Sequence, residues 1–372
     1  MNNVIWLLKA LCRALGEVLT GWSNPWFAFE RFLGQRLLSE EQALELASKT
    51  ALRELRIIDT RVRRNPKCVW FGPFTGEVGY ELLYWRGFIG ACQEQLGLGP
   101  DEIGVISRGG VNGWYSKLAS NYLDLYSIGG ASLVGELQTD LYPIAFDRRH
   151  KSLVAVAKGS RRYWIHPRHL HQAIAEFKAR PERLEKMQTV VSHLPISKDH
   201  LLNASPELLL AWQSIAKSLP RQYLTVKVYT GSNLNNPRHL NHITETLQTL
   251  GTQIPLVGLG RTVTTDSHAD WTADLKSVAQ PMQYVDPSIN LGIQSLLIAH
   301  STGFIGTYGG FSYLPLYLQV PTLALKDGGT FQKPAHEVME KYVAKQLASD
   351  YEVIDISQTS VDQAISAFLG RP

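Results

Sequence analysis

Cysteine is scarce in this sequence. The 372 residues include three cysteines, Cys12, Cys68 and Cys92, and no two of them have the Cys-x-x-Cys spacing. An odd, widely spaced set argues against a zinc knuckle and against a secreted disulfide framework. The simplest expectation is therefore a protein of the reducing cytoplasm.

A large charge excess is also missing. The formal net charge is +4 at pH 7, and residues 1–70 hold 11 Lys and Arg against 7 Asp and Glu, which leaves 26 of each sign for the rest. A charge-balanced body does not favour duplex DNA, so we expect no nucleic-acid partner. The basic N-terminal segment can still meet anionic lipid or phosphate.

The N-terminal segment lacks the apolar run of a membrane-spanning helix. It has an amphipathic helical pattern whose uninterrupted apolar run, residues 4–8, is far shorter than the roughly 20 residues that span a bilayer. Lys9, Arg13 and Trp6 are typical of a headgroup interface, so residues 1–35 are a candidate peripheral membrane contact. Packing of this segment on the protein's own core explains the same pattern. The expected location is cytoplasmic, or at the inner face of the membrane through this contact.

The texture changes at Cys68, where short β-branched runs begin to alternate with amphipathic stretches. This is the pattern of α/β units around a parallel sheet. A second such series starts at Tyr223, and the length suits two domains. The sequence therefore predicts an α/β protein with an N-terminal helical arm (residues 1–66) and two α/β domains (residues 67–219 and 220–372).

The first predicted strand leads into a glycine-rich loop that opens a helix. Glycines at this place let backbone N–H groups approach a ligand at the carboxyl end of a strand. The spacing is not Gly-x-Gly-x-x-Gly, which disfavours a nicotinamide site. Glu77 is the candidate general base, with a solvated turn carboxylate as the alternative, whereas Glu81 suits a structural role. The candidate loop residues are Gly72, Thr75, Gly76 and Gly79.

The second predicted strand ends in Ser107-Arg108-Gly109-Gly110. Arg108 suits an anionic or sugar ligand because a guanidinium pairs with phosphate, and the aromatic rings of Trp114 and Tyr115 can stack on a sugar. A surface turn beside two core aromatic residues is the alternative interpretation.

A strand meets a helix through a glycine pair in residues 303–314. Unhindered amides at such a place form an anion site suited to a diphosphate. In the first strand of this domain, Lys227 either points to solvent or reaches the phosphates. The candidate ligand-binding residues here are Lys227, Tyr229, Thr307, Tyr308, Gly309, Gly310, Phe311 and Ser312.

The loop before residue 270 contains Asp266 and His268 in an Asp-x-His-x-Asp spacing. This spacing superficially resembles a metal cluster but has no obvious further ligand, so hydrogen bonding to a ribose or base is the better functional interpretation and we expect no metal. His166 is a weaker candidate for the site.

Taken together, residues 107–110, 114–115, 224–229, 266–268 and 304–315 resemble a group of bacterial glycosyltransferase-like proteins. The resemblance covers about residues 68–340 and implies the GT-B architecture, two Rossmann-like domains that face a cleft. The glycine-pair segment is also similar to the donor site of heptosyltransferases, where Thr307, Gly309 and Gly310 match residues that hold the diphosphate. The usual histidine after the glycine is absent, and Ser312 or Tyr313 stands near its place, which leaves the donor open.

The resemblance implies a metal-independent glycosyltransferase of envelope polysaccharide or glycolipid synthesis, without a cofactor. The C-terminal domain would hold a nucleotide-sugar and the N-terminal domain a carbohydrate or lipid-linked acceptor. The base of such enzymes maps onto Glu77, while Arg108, Lys227 and the amides after Thr307 would offset charge on the leaving diphosphate. A sugar-nucleotide epimerase, a pyruvyl-type transferase and a non-catalytic carbohydrate- or lipid-binding assembly protein are the alternatives.

Overall fold

The computed structural model describes residues 68–74, 76–127, 164–165, 191–230, 234, 236–260, 269–270, 278–282, 285–328 and 334–370. The predicted N-terminal arm lies outside these residues, and so do four predicted site residues: Thr75, His166, Asp266 and His268.

The first sheet has four parallel strands in the spatial order β3-β2-β1-β4. The strands are β1 (Val69–Phe71), β2 (Ile103–Ser107), β3 (Asn121–Asp124) and β4 (Trp164–Ile165). All residues of β1 and β2 are buried, because a parallel sheet is covered on both faces. The switch in strand order lies between β1 and β4, so the loop after β1 stands at the place where α/β sheets bind ligands.

That loop runs into a helix in three parts. An α-helical turn (Val78–Tyr80) is followed by a π-helical turn (Glu81–Trp85) and then by helix α1 (Arg86–Leu96). All five residues of the π-helical turn are buried. Glu81 thus lies in the domain interior, and π-helical turns of this kind are frequent at functional sites.

The second sheet has six parallel strands in the spatial order β12-β11-β10-β5-β7-β9. Counted from β5, this is the strand order of dinucleotide-binding folds, so the predicted α/β class with two Rossmann-like domains is confirmed. A two-stranded antiparallel sheet, β6-β8, lies beside it. These strands are β5 (Leu224–Lys227), β6 (Tyr229–Thr230), β7 (Leu256–Gly258), β8 (Ala269–Asp270), β9 (Val278–Ala279), β10 (Gly303–Thr307), β11 (Thr322–Lys326) and β12 (Tyr351–Asp355).

Helices cover the second sheet and connect it to the first. They are α2 (Lys198–Leu202), α3 (Pro206–Ala216), α4 (Pro237–Leu250), α5 (Asn290–Ala299), α6 (Tyr313–Tyr317), α7 (Pro334–Leu347) and α8 (Val361–Leu369). Helix α4 begins as its sequence predicts, because the Asn236 side chain accepts a hydrogen bond from Arg238 N at 3.0 Å and Pro237 occupies the first turn. None of the helices in the described ranges is long and apolar enough to cross a bilayer.

The two domains share one apolar core. One cluster of buried side chains runs from the first sheet to the inner face of the second, and another lies on the outer face beneath α4 and α8. Polar bonds cross the shared core: Trp114 Nε1 donates to Ser295 Oγ at 2.9 Å, and Gly292 N donates to the Gly109 carbonyl at 2.8 Å. The segment that follows β2 is therefore joined to helix α5 of the second domain.

Candidate functional site

The candidate site lies where the strand order of the second sheet switches, between β5 and β10. In this fold the crevice outside the carboxyl ends of the strands at the switch is the ligand position. Lys227 ends β5 and is paired in register with Gly306, one residue before Thr307 at the end of β10. Lys227 and Thr307, two of the predicted ligand-binding residues of this domain, thus lie at one edge of the sheet.

Thr307 is buried, and its hydroxyl bonds to backbone. Thr307 Oγ1 accepts a hydrogen bond from Tyr229 N at 2.9 Å and donates one to the Tyr229 carbonyl at 3.0 Å. These two bonds join the end of β10 to β6. The Thr307 hydroxyl, which the sequence predicts to bind a diphosphate, therefore holds the backbone of β6 in this structure.

Lys227 stays at the edge of the site beside an aromatic ring. Its Nζ donates to the Leu259 carbonyl at 2.8 Å and lies 4.4 Å from the centroid of the Phe311 ring. A cation over an aromatic face is stabilised electrostatically. This contact joins two predicted ligand residues that are more than 80 positions apart in the chain.

The glycine pair forms a tight turn that a hydroxyl closes. Gly309 has φ 152°, a conformation that favours glycine. Ser312 is buried: its Oγ donates to the Gly309 carbonyl at 2.8 Å and lies 3.1 Å from the Tyr351 hydroxyl. Nearby, the hydroxyl oxygens of the buried Tyr308 and Tyr313 are 3.4 Å apart. Because α6 has only five residues, this place offers an anion no long helix dipole, and within the turn Gly309 N already donates to Ser312 Oγ at 3.3 Å.

The glycine-rich turn of the first domain packs directly on this pair. A Cβ atom on Gly79 would lie 2.7 Å from Gly310 Cα, and one on Gly310 would lie 2.8 Å from Gly79 N. Only residues without a side chain allow so close an approach. The two glycine segments, which belong to different domains, therefore meet at the interface.

Glu77 is exposed on the first-domain turn. Its backbone has φ −61° and ψ 142°, just before the turn Val78–Tyr80, and its side chain makes no capping hydrogen bond. Burial, and to a smaller extent the Glu77 charge, raise the pKa of Tyr80 above its ordinary value. Gly72, with φ 136° and Ile106 directly against its α-carbon, lets the loop leave β1.

Arg108 lies inside the first domain, behind this turn. Its Nη1 is 3.0 Å from Glu81 Oε2 and 3.4 Å from the Phe74 carbonyl, and its Nη2 donates to the Gly76 carbonyl. The sequence predicts an anionic ligand for Arg108. In this structure its side chain is buried, and its donors face Glu81 and the loop backbone.

The aromatic residues predicted to stack on a sugar are also interior. Trp114 bonds to Ser295 across the domain interface, and the Tyr115 hydroxyl donates to Glu81 Oε1 at 2.6 Å. Burial and the neighbouring Glu81 raise the pKa of Tyr115 well above its ordinary value. Both rings therefore match the alternative interpretation, core aromatics beside the turn.

One polar residue of this edge was missed. Asp124 ends β3; its Oδ2 accepts from Gly110 N at 2.8 Å, and burial raises its pKa to about 6. The sequence before it, Ser120-Asn121-Tyr122-Leu123, has neither an apolar run nor a clear alternation, so it carries no signal that identifies β3 as a strand ending in an aspartate.

The described residues contain no group of three or more His, Cys, Asp and Glu arranged to hold a metal ion. The predictions for Asp266, His268, His166 and Thr75 fall outside these residues, and the expectation of no metal and no cofactor stays a prediction.

Comparisons with known proteins give structural matches only. No family model and no curated protein matches the sequence. E. coli ADP-heptose LPS heptosyltransferase II is 14% identical over 82% of this chain and 98% of its own, with a TM-score of 0.45. The Methanocaldococcus jannaschii UDP-GlcNAc 2-epimerase is 12% identical over 82% of this chain and 92% of its own, with a TM-score of 0.41. E. coli heptosyltransferase WaaC is 11% identical over 81% of this chain and 98% of its own, with a TM-score of 0.40. The fold assignment itself follows from the strand order of this chain.

Proposed function

We propose that this protein is a metal-independent glycosyltransferase that moves a sugar from a nucleotide-sugar to a hydroxyl acceptor in cell-envelope polysaccharide or glycolipid synthesis. One observation carries the proposal: the switch point of a dinucleotide-type sheet, with Lys227 at its edge, lies against a turn of the other domain that exposes Glu77. A cation and backbone amides on one side, and an exposed carboxylate on the other, suit transfer away from a diphosphate.

In this proposal the donor diphosphate binds at the turn Gly309–Gly310. Lys227 and the backbone amides of this turn offset the negative charge that develops as the bond between the sugar and the diphosphate breaks. The oxygen of the acceptor hydroxyl bonds to the sugar carbon as the diphosphate leaves, and Glu77 accepts the proton of that hydroxyl. Phe311, already under the Lys227 ammonium, borders the donor position.

A nucleotide-sugar screen tests this function. The protein is heated with UDP-, GDP-, ADP-, CMP- and dTDP-sugars, and a ligand at 100 times its dissociation constant should stabilise it by about 2.7 kcal/mol. Slow hydrolysis of the bound nucleotide-sugar without acceptor supports a transferase. Interconversion of free nucleotide-sugars would replace it with an epimerase, and binding without any turnover would replace it with a carbohydrate-binding assembly protein.

The acceptor is proposed to be a carbohydrate or lipid-linked sugar that the N-terminal segment helps to reach at the inner face of the membrane. The basic and tryptophan-containing pattern of residues 1–35 supports this. Deletion of residues 1–35 should release the protein from anionic vesicles at low salt and leave nucleotide binding intact. Unfolding of the shortened chain would mean that the segment belongs to the core.

A further inference from the structure

Arg108 and Glu81 form a buried ion pair that stability alone does not explain. Arg108 is 2% exposed and Glu81 is fully buried, with 3.0 Å between Nη1 and Oε2. Removing two charges from water is costly, and well-packed apolar residues of similar size often serve the fold equally well. The pair therefore calls for a role that apolar side chains cannot fill.

The remaining donors of Arg108 show what that role is. Nη1 also lies 3.4 Å from the Phe74 carbonyl, and Nη2 bonds to the Gly76 carbonyl, so the guanidinium holds the backbone on both sides of position 75. The second bond is one residue before Glu77. A guanidinium offers five donors in one rigid plane, which lets a single side chain hold a carboxylate and two carbonyls at once.

Glu81 is itself held in place. Its Oε1 accepts from the Tyr115 hydroxyl at 2.6 Å and from the Ser107 hydroxyl, while Oε2 faces Arg108. Both oxygens are therefore satisfied by groups at the carboxyl end of β2 and in the turn after it. On its outer side the same loop rests on Gly310 through Gly79.

We infer that Arg108 and Glu81 are positioning residues: through the carbonyls of Phe74 and Gly76 they set the turn that presents Glu77 to the second domain. This inference rests on the proposed function and adds to it a rigid support for the base. Neither residue touches a substrate in this account. Arg108 is thereby reassigned from the donor phosphates to the backbone of the acceptor-side loop.

The test uses the full chain and the double variant Glu81→Leu/Arg108→Met, which removes both charges and leaves neither one unpaired. Amide hydrogen exchange of residues 76–80 should become at least about tenfold faster, because the loop loses its two carbonyl anchors. Tyr115→Phe is the matched control: it removes a bond to the same carboxylate but none to the loop, so exchange there should change less than about threefold. Unchanged exchange in a folded double variant overturns the inference.

Where the double variant does not fold, Arg108→Lys takes its place. A single ammonium keeps the charge beside Glu81 but cannot span the carboxylate and both carbonyls, so the same rise in exchange is expected. Exchange at the wild-type level in Arg108→Lys overturns the inference.

A second measurement separates this role from donor binding. In either variant the affinity for ADP and UDP should stay within about threefold of wild type while kcat of the transfer reaction falls at least about tenfold. A nucleotide affinity that drops tenfold would make Arg108 a donor ligand and overturn the inference. If wild type transfers no sugar while exchange rises as expected, the proposed function fails and the support of the loop stands.

Discussion

The two glycine-rich turns that meet at the domain interface are built by different means. In the first domain, a buried ion pair and two hydroxyls hold the turn from within. In the second, the hydrogen bonds come from hydroxyls, with the Thr307 hydroxyl on the Tyr229 backbone and the Ser312 hydroxyl on Gly309.

The two domains also differ in where their charged side chains lie. The first domain places Glu81 and Arg108 inside as scaffold and leaves Glu77 exposed on the outside of the turn. The second domain shapes its turn with hydroxyls and keeps Lys227 at the edge, against Phe311. The first domain thus exposes a carboxylate on the turn that meets the second domain, the second domain carries an ammonium, and the proposed reaction uses both. Four predictions test this comparison.

The exposed carboxylate should carry the chemistry. Glu77→Gln keeps the size of the side chain and removes its basicity, so the transfer rate should fall about 10²- to 10⁴-fold, or about 3–5 kcal/mol in the barrier, with nucleotide-sugar binding nearly unchanged. Glu94→Gln, at an exposed position of α1, is the control for loss of one charge. A rate above about a tenth of wild type would remove Glu77 as the base and make Asp266, His268 or His166 the next candidates.

The buried carboxylate should contribute far more to stability than the exposed one. Glu81→Ala leaves the Arg108 charge buried without its partner and should cost about 3–5 kcal/mol of unfolding free energy, measured by urea denaturation. Glu77→Ala, on the exposed side of the same turn, should stay within about 0.5 kcal/mol. Equal losses of unfolding free energy in the two variants would contradict the assignment of Glu81 to the scaffold and of Glu77 to the exposed side of the turn.

The contact between the turns should be intolerant of a methyl group. In Gly79→Ala the new Cβ would lie 2.7 Å from Gly310 Cα and 2.9 Å from the Tyr313 ring, so overpacking should cost about 1–3 kcal/mol. The matched control is Gly90→Ala in α1, whose Cβ would meet only Leu118 Cδ2 at 3.6 Å. As a helix residue it should be neutral or stabilising by up to about 1 kcal/mol. A neutral Gly79→Ala would mean that the two turns do not touch in solution.

The first domain should also show its buried acid in the pH dependence of stability. Burial raises the pKa of Asp124 from 3.8 to about 6, so the folded state binds this proton more tightly than the unfolded chain does. Its contribution to the free energy of unfolding should therefore fall as pH rises from about 4 to about 6, by about 2 kcal/mol, and then stay level. The measurement is the stability difference between wild type and Asp124→Asn across this range, and a difference that stays constant would contradict it.

Local patterns sufficed for the class of fold and for several elements. Alternation of β-branched runs and amphipathic stretches predicted two parallel sheets, and both are present. Asn236 and Pro237 predicted the start of α4, because a cap and a first-turn proline act within one helical turn. The sequence also predicts that Lys227 and the glycine pair lie at the same edge of the sheet, because parallel strands place their carboxyl ends there.

The partners of the charged residues were decided only by the tertiary structure. Arg108 follows a strand and precedes two glycines, which is the pattern of an anion-binding turn, yet its donors face Glu81 and the loop carbonyls. A residue's position after a strand predicts that it lies at an edge of the sheet. It does not predict whether the side chain faces the domain interior or the ligand side. Glu81 begins a π-helical turn whose five residues are all buried, and its carboxylate faces Arg108.

The α/β class, the two strand series and the glycine segments follow from local sequence, because they depend on periodicity and on backbone freedom over a few residues. The contacts of Gly79 with Gly310, of Lys227 with Phe311 and of Glu81 with Arg108 follow from the way the elements pack. Those contacts join residues from different elements, and whether a charge faces solvent or a buried partner depends on how the elements pack.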